Sequence, residues 1–92
     1  MFLEDKLELM LKDSAYEDTA TDMLNACIAH IADCCEDGMK AKDCAAVIKQ
    51  TDDVWRRLCK KNGLGETAQN FFKKHYIDER CIDHPSLGAY FK

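Results

Sequence analysis

Turn-forming residues are scarce in this chain of 92 residues, which holds one proline, Pro85, and four glycines. With so little punctuation there is no sign of a low-complexity segment, a repeat or a flexible linker, and the elements between the breaks must be long. Apolar runs are missing as well. None approaches the roughly 20 residues that a membrane-crossing helix requires, and Leu11 is followed at once by Lys12 and Asp13. The opening MFLEDKLELMLKD carries acids throughout, whereas a secretory leader has a basic start and then an apolar stretch, so export is not expected. The phosphate-cradling loop G-x-x-x-x-G-K-[ST], the dinucleotide pattern G-x-G-x-x-G and the zinc-protease helix H-E-x-x-H are all absent from the sequence. So is any excess of positive charge. Thirteen Lys and Arg against 17 Asp and Glu give a formal net charge of −4, which disfavours nonspecific attraction to phosphate or to an anionic membrane surface.

The length suits one domain spanning residues 1–92, with a single shared core. A chain this short buries only about 60 to 65% of its unfolded surface, so a few large side chains must share one interior. A cytoplasmic location is expected. In that reducing environment the six cysteines, Cys27, Cys34, Cys35, Cys44, Cys59 and Cys81, should be free thiols or metal ligands rather than a disulfide framework.

Hydrophobic periodicity predicts helices throughout. Over about residues 2–13, Leu3, Leu7, Met10 and Leu11 share one face, while Phe2 and Leu9 point away from it. A second helix over about 15–37 should start with the capping box Ser14-Ala15-Tyr16-Glu17 and end at Gly38, a favourable left-handed cap. Its apolar arc holds Tyr16, Ala20, Met23, Leu24, Cys27, Ile28, Ile31, Cys34 and Cys35, with Asp18, Asp22, Asp33 and Glu36 opposite. A third helix over about 40–61 should stop at Asn62-Gly63, burying Ala41, Cys44, Val47, Ile48, Thr51, Val54, Trp55, Leu58 and Cys59. A fourth, over about 66–76, gathers Ala68, Phe71, Phe72, His75 and Tyr76, and an irregular tail over 78–92 follows. Without strand-like alternation, this pattern predicts an all-α fold, a small antiparallel bundle of three to four helices.

The densest chemistry lies in ACIAHIADCCEDG, residues 26–38. Cys27, His30 and Cys34 have the spacing C-x2-H-x3-C, which puts a thiol-and-imidazole set suited to zinc on one side of a helix. A fourth ligand would have to come from Cys44, Cys59 or His75 on a neighbouring helix. The alternative is simpler: a small thiol fits among Leu24, Ile28 and Ile31 as core filler. Cys81-x2-His84 is a second, sparser ligand pair. A cysteine nucleophile would need a base and a group to orient that base, yet Asp33 and Asp37 lie on the far side of the helix from Cys27 and His30. No enzyme activity and no cofactor are expected.

Residues 43–58, DCAAVIKQTDDVWRRL, resemble the helix-turn-helix of small transcription regulators and phage excision factors. Cys44, Ala45, Ile48, Thr51, Trp55, Arg57 and Leu58 fit its positions, and Lys60-Lys61-Asn62-Gly63 resembles the usual basic end. The resemblance implies that Thr51 caps a recognition helix, with Lys49, Asp52, Arg56 and Lys60 turned toward the major groove and phosphates of DNA. The family's turn carries glycine and then an aliphatic residue, where this chain has Lys49 and Gln50, both good helix formers. The apolar face also stays in phase across them, so one unbroken helix is the competing expectation.

The reading favoured by the residues is a small non-enzymatic helical module that binds protein, its own copy included. Phe2 and Leu9 lie off the main stripe of their helix, and Tyr90 and Phe91 near the C-terminus likewise call for a groove or a partner. Closed dimers are the commonest oligomers, which makes a homodimer the natural form of self-association.

Overall fold

In a computed structural model of the protein, which describes residues 2–35 and 37–79, three long helices carry the architecture. They are α1 (Leu3–Asp13), α2 (Tyr16–Cys34) and α3 (Ala41–Lys61). A short helix α4 (Glu66–Gln69) and a π-helical segment (Lys73–Asp78) complete the described chain, and no strand occurs among the described residues. The all-α expectation therefore holds, with five helical segments of which three are long. The irregular tail expected over 78–92 begins later than that, since Asp78 and Glu79 are still helical; residues 80–92, including Cys81, His84, Tyr90 and Phe91, lie outside the described residues.

Helix direction can be read from two ion pairs. Glu4 meets Arg57 and Glu8 meets Lys61, so a step of four residues along α1 matches a step of four along α3. α1 and α3 therefore run the same way, and α2, packed on both and joined to them by short connections, returns between them. This is the up-down-up order of an antiparallel bundle.

The core is drawn from every element. Leu7 of α1, Met23 and Cys27 of α2, and Trp55, Leu58 and Cys59 of α3 are fully enclosed, as is Phe72 beyond α4. Trp55 sits at the centre: its Nε1 donates to the Ala68 carbonyl at 2.8 Å, and its ring stacks on Phe71 at 5.7 Å. The apolar faces expected of α1, α2 and α3 are thus the buried ones, with Ala45 an addition that the periodic reading of α3 left out.

Element ends follow the expectation in one case and depart from it in three. α3 closes as a Schellman motif: Leu64 N–H reaches the Cys59 carbonyl, Gly63 N–H reaches Lys60, and Gly63 takes the left-handed φ of 71°. α2 starts without the expected capping box. Ser14 spends its N–H on Met10 to finish α1, and Ala15 takes the N-cap position with no side-chain bond. α2 also ends at Cys34, short of Gly38, whose φ of 85° belongs instead to the connection. Asp33 lies in its last turn and no basic residue there offsets the C-terminal dipole. Finally, the helix expected over 66–76 is interrupted at Asn70, and the chain then widens into π-helical turns on which Phe72 stacks with Tyr76 at 5.2 Å.

Candidate interaction surface

α1 has 11 residues and α3 has 21. Because Glu4 lies beside Arg57 and Glu8 beside Lys61, the shorter helix covers only the C-terminal part of the longer one. Its first residues stop beside the middle of α3. There they leave a groove of about 270 Å3, walled by Phe2, Leu3 and Glu4, by His30 of α2, and by Gln50, Thr51 and Val54 of α3. Phe2 projects at its rim, 83% exposed.

Leu9 is 49% exposed and lies two helical turns from Phe2 on the same side of α1. Around it a smaller depression is formed by Asp5, Glu8 and Lys12, all from α1 itself. Phe2 and Leu9 are the exposed large hydrophobic side chains among the described residues. Both were legible in the sequence as residues off the buried stripe. The groove was not, because it depends on the register of α1 against α3, which the two ion pairs express and the helical pattern of either element alone does not.

Those ion pairs also set the local electrostatics. Arg57 donates through Nε and Nη2 to both carboxylate oxygens of Glu4, and Lys61 Nζ reaches Glu8 Oε1 at 2.8 Å. The Arg57 hydrogen bonds hold the Glu4 carboxyl below the usual carboxylate range, and the Lys61 ammonium does the same for Glu8. α1 is therefore fastened along its seam with α3, while Leu9 stands exposed among the charged Asp5, Glu8 and Lys12.

The candidate zinc ligands are only partly brought together. Cys34 Sγ approaches His30 Nε2 at 3.6 Å, both half-buried, whereas Cys27 lies in the core with no exposed surface. Among the described residues no group of three or more His, Cys, Asp or Glu is arranged to hold a metal ion. Burial pushes the Cys27 thiol up to about 12 and the Cys59 thiol up to about 11, as expected of sulfur packed among hydrocarbon.

The residues singled out by the helix-turn-helix resemblance fall on one continuous helix. α3 runs from Ala41 to Lys61 through Lys49 and Gln50 without a turn, which corrects the expectation that Thr51 caps a recognition helix. Thr51 is 2% exposed and its hydroxyl donates to the Val47 carbonyl at 2.9 Å. Arg56 is held by Asp52 at 3.0 Å, while Lys49 and Lys60 are exposed on the same side of α3. The helix-forming residues at the would-be turn, with an apolar face in phase on either side, account for the unbroken geometry.

The chain matches no protein-family model, and neither curated proteins nor solved structures match it. Among the described residues no helix is long and apolar enough to cross a membrane.

Proposed function

We propose that this chain is a small non-enzymatic helical module, cytoplasmic, whose role is to bind protein through the outer edge of α1, with a second copy of itself as partner. The observation that carries the reading is Phe2, 83% exposed beside a groove lined by residues of three helices. An aromatic ring of this size left in water is unfavourable for the monomer and is the kind of anchor that interfaces are built around. The surface offers both a projecting ring and a recess. A twofold axis beside it would bring the ring of each copy to the recess of the other, since in an isologous interface the contact of residue i with j is repeated as j with i. Leu9, on the same side of α1, would extend the covered strip.

Sedimentation or light scattering across a range of concentration tests this. The expected result is a monomer–dimer equilibrium that Phe2→Ala weakens by about 2 kcal/mol, roughly thirtyfold in the dissociation constant. A monomeric mass for the unaltered protein at every concentration would overturn self-pairing. Binding of a random DNA duplex that declines steeply with salt would redirect attention to Lys49, Arg56 and Lys60.

A further inference from the structure

His30 and Cys34 stand one turn apart on α2, and Cys34 Sγ lies 3.6 Å from His30 Nε2. Both side chains are half-buried, and His30 also lines the groove beside Phe2. Within one chain the contact is a weak hydrogen bond between thiol and imidazole. The same separation suits a metal. Zinc bonds of about 2.3 Å to sulfur and about 2.05 Å to imidazole nitrogen, opened to the tetrahedral angle, set those two atoms about 3.6 Å apart. A two-coordinate ion, with its ligands on opposite sides, would hold them farther apart. The pair is thus spaced as one edge of a zinc tetrahedron. The end of α2 also favours a cation, because its last carbonyls carry partial negative charge, Asp33 lies in the last turn and no basic residue there competes. One chain lacks the opposite edge: among the described residues no group of three or more His, Cys, Asp or Glu is arranged for a metal. Cys27 and Cys59 are enclosed in the core, and the His75 ring packs on Phe71 at 4.4 Å.

We infer that zinc binds between two copies of the chain, His30 and Cys34 of one copy giving one edge of the tetrahedron and the same two residues of the other copy giving the opposite edge. The inference rests on the self-pairing proposed above and names the ion that fixes it. A tetrahedron has twofold axes, and one of them carries a sulfur–nitrogen edge onto the opposite one, so an ion on the dimer axis meets two equivalent halves. Because His30 is a wall of the groove, an axis through the ion runs beside the recess that receives Phe2, and one arrangement serves both contacts. Each Cys34 thiol gives its proton to solvent as its sulfur–zinc bond forms, and each imidazole binds in its neutral form through Nε2. One zinc therefore displaces two protons, and binding weakens as the pH falls. Two copies complete what neither holds alone, a closed site of two sulfurs and two nitrogens with no position left for water, which makes the ion structural rather than catalytic.

Sedimentation with a non-chelating reductant, first in EDTA and then in zinc, separates the bridge from the pairing itself. In EDTA the mass reports Phe2 and its recess alone. Zinc at about ten times its dissociation constant from the dimer should tighten association about tenfold, with one zinc bound per two chains. Cobalt(II) in its place should show the intense visible bands of a tetrahedral ion and the near-ultraviolet band of a metal–thiolate bond. His30→Ala and Cys34→Ser should each remove both the bands and the tightening, whereas Cys44→Ser should keep them. Both ligand positions are half-buried, and circular dichroism checks that each variant is helical, so either one keeps the test readable should the other fail to fold. A dimer in EDTA that zinc leaves unaltered would overturn the bridge and keep the proposed self-pairing, and a monomer under both conditions would overturn both. A monomer in EDTA that zinc converts to a dimer upholds the bridge and confines self-pairing to the zinc form. One zinc per chain without a change of mass, or cobalt bands that survive Cys34→Ser, would also overturn the bridge.

Discussion

Tyr16 turns its hydroxyl into the protein and finds no hydrogen-bond partner there. Burial, with smaller contributions from Cys59 and Glu17, pushes that hydroxyl up to about 12. An unsatisfied buried polar group costs about 1 to 3 kcal/mol, while the ring itself packs edge-on against Phe71 at 6.3 Å and gains from doing so. Tyr16→Phe keeps the ring and removes the orphan oxygen, so it should stabilise the fold by about 1 kcal/mol in urea titration. A loss of stability would mean that the hydroxyl has a partner after all. Trp55 presents the contrast, with an equally polar atom that is paired, to Ala68. The helical spacing was enough to place Tyr16, Trp55, Cys27 and Cys59 on buried faces. It could not say which of the two aromatic polar atoms would be satisfied, because the answer depends on where a carbonyl 13 residues further along the chain comes to rest.

The helices were easier to foresee than the ways in which they end. Gly63 met expectation because its role is local: a left-handed residue after α3 frees two backbone bonds to close the helix, and Leu64 packs onto the core behind it. Apart from its own chain neighbours, no atom of the described residues lies within 4 Å of where a Cβ would stand, so Gly63→Ala meets no steric obstacle among them and isolates the backbone penalty. That penalty is about 1 to 2 kcal/mol, and chemical denaturation should show it as a lower midpoint with an unchanged slope. The start of α2 misled for a tertiary reason. Only two residues separate it from α1, and the first of them, Ser14, has its N–H committed to the preceding helix. Likewise the π-helical turns after Phe72 accompany two ring contacts, Phe71 with His75 and Phe72 with Tyr76. Nothing in a pattern of period 3.6 distinguishes such widened turns from ordinary ones.

For the molecule as a whole, the attachment of α1 decides both stability and the exposure of its outer edge. Leu7 buries itself fully and Leu3, Met10 and Leu11 pack partly, while Glu4 and Glu8 bind Arg57 and Lys61 along the seam. Both carboxyl groups titrate below their ordinary value of 4.5 in the folded chain. A carboxylate with a depressed folded value binds fewer protons folded than unfolded, so its stabilisation is complete above the unfolded value and declines as the pH falls through the folded one. Arg57 and Lys61 shift the other way, upward, and their share is lost only in strong alkali. Acid, rather than base, is thus the condition that loosens this seam. Urea midpoints measured from pH 7 down to about 3 should fall most steeply below the ordinary carboxylate value, and the double variant Glu4→Gln, Glu8→Gln should show a shallower decline. Because both groups are partly exposed, salt should screen the effect and narrow the gap between the two proteins. An identical pH profile for the variant would place the acid sensitivity elsewhere. If Phe2 and Leu9 pair with a second copy, the dimer should dissociate over the same window, since the helix that carries them is the one whose fastenings are being protonated.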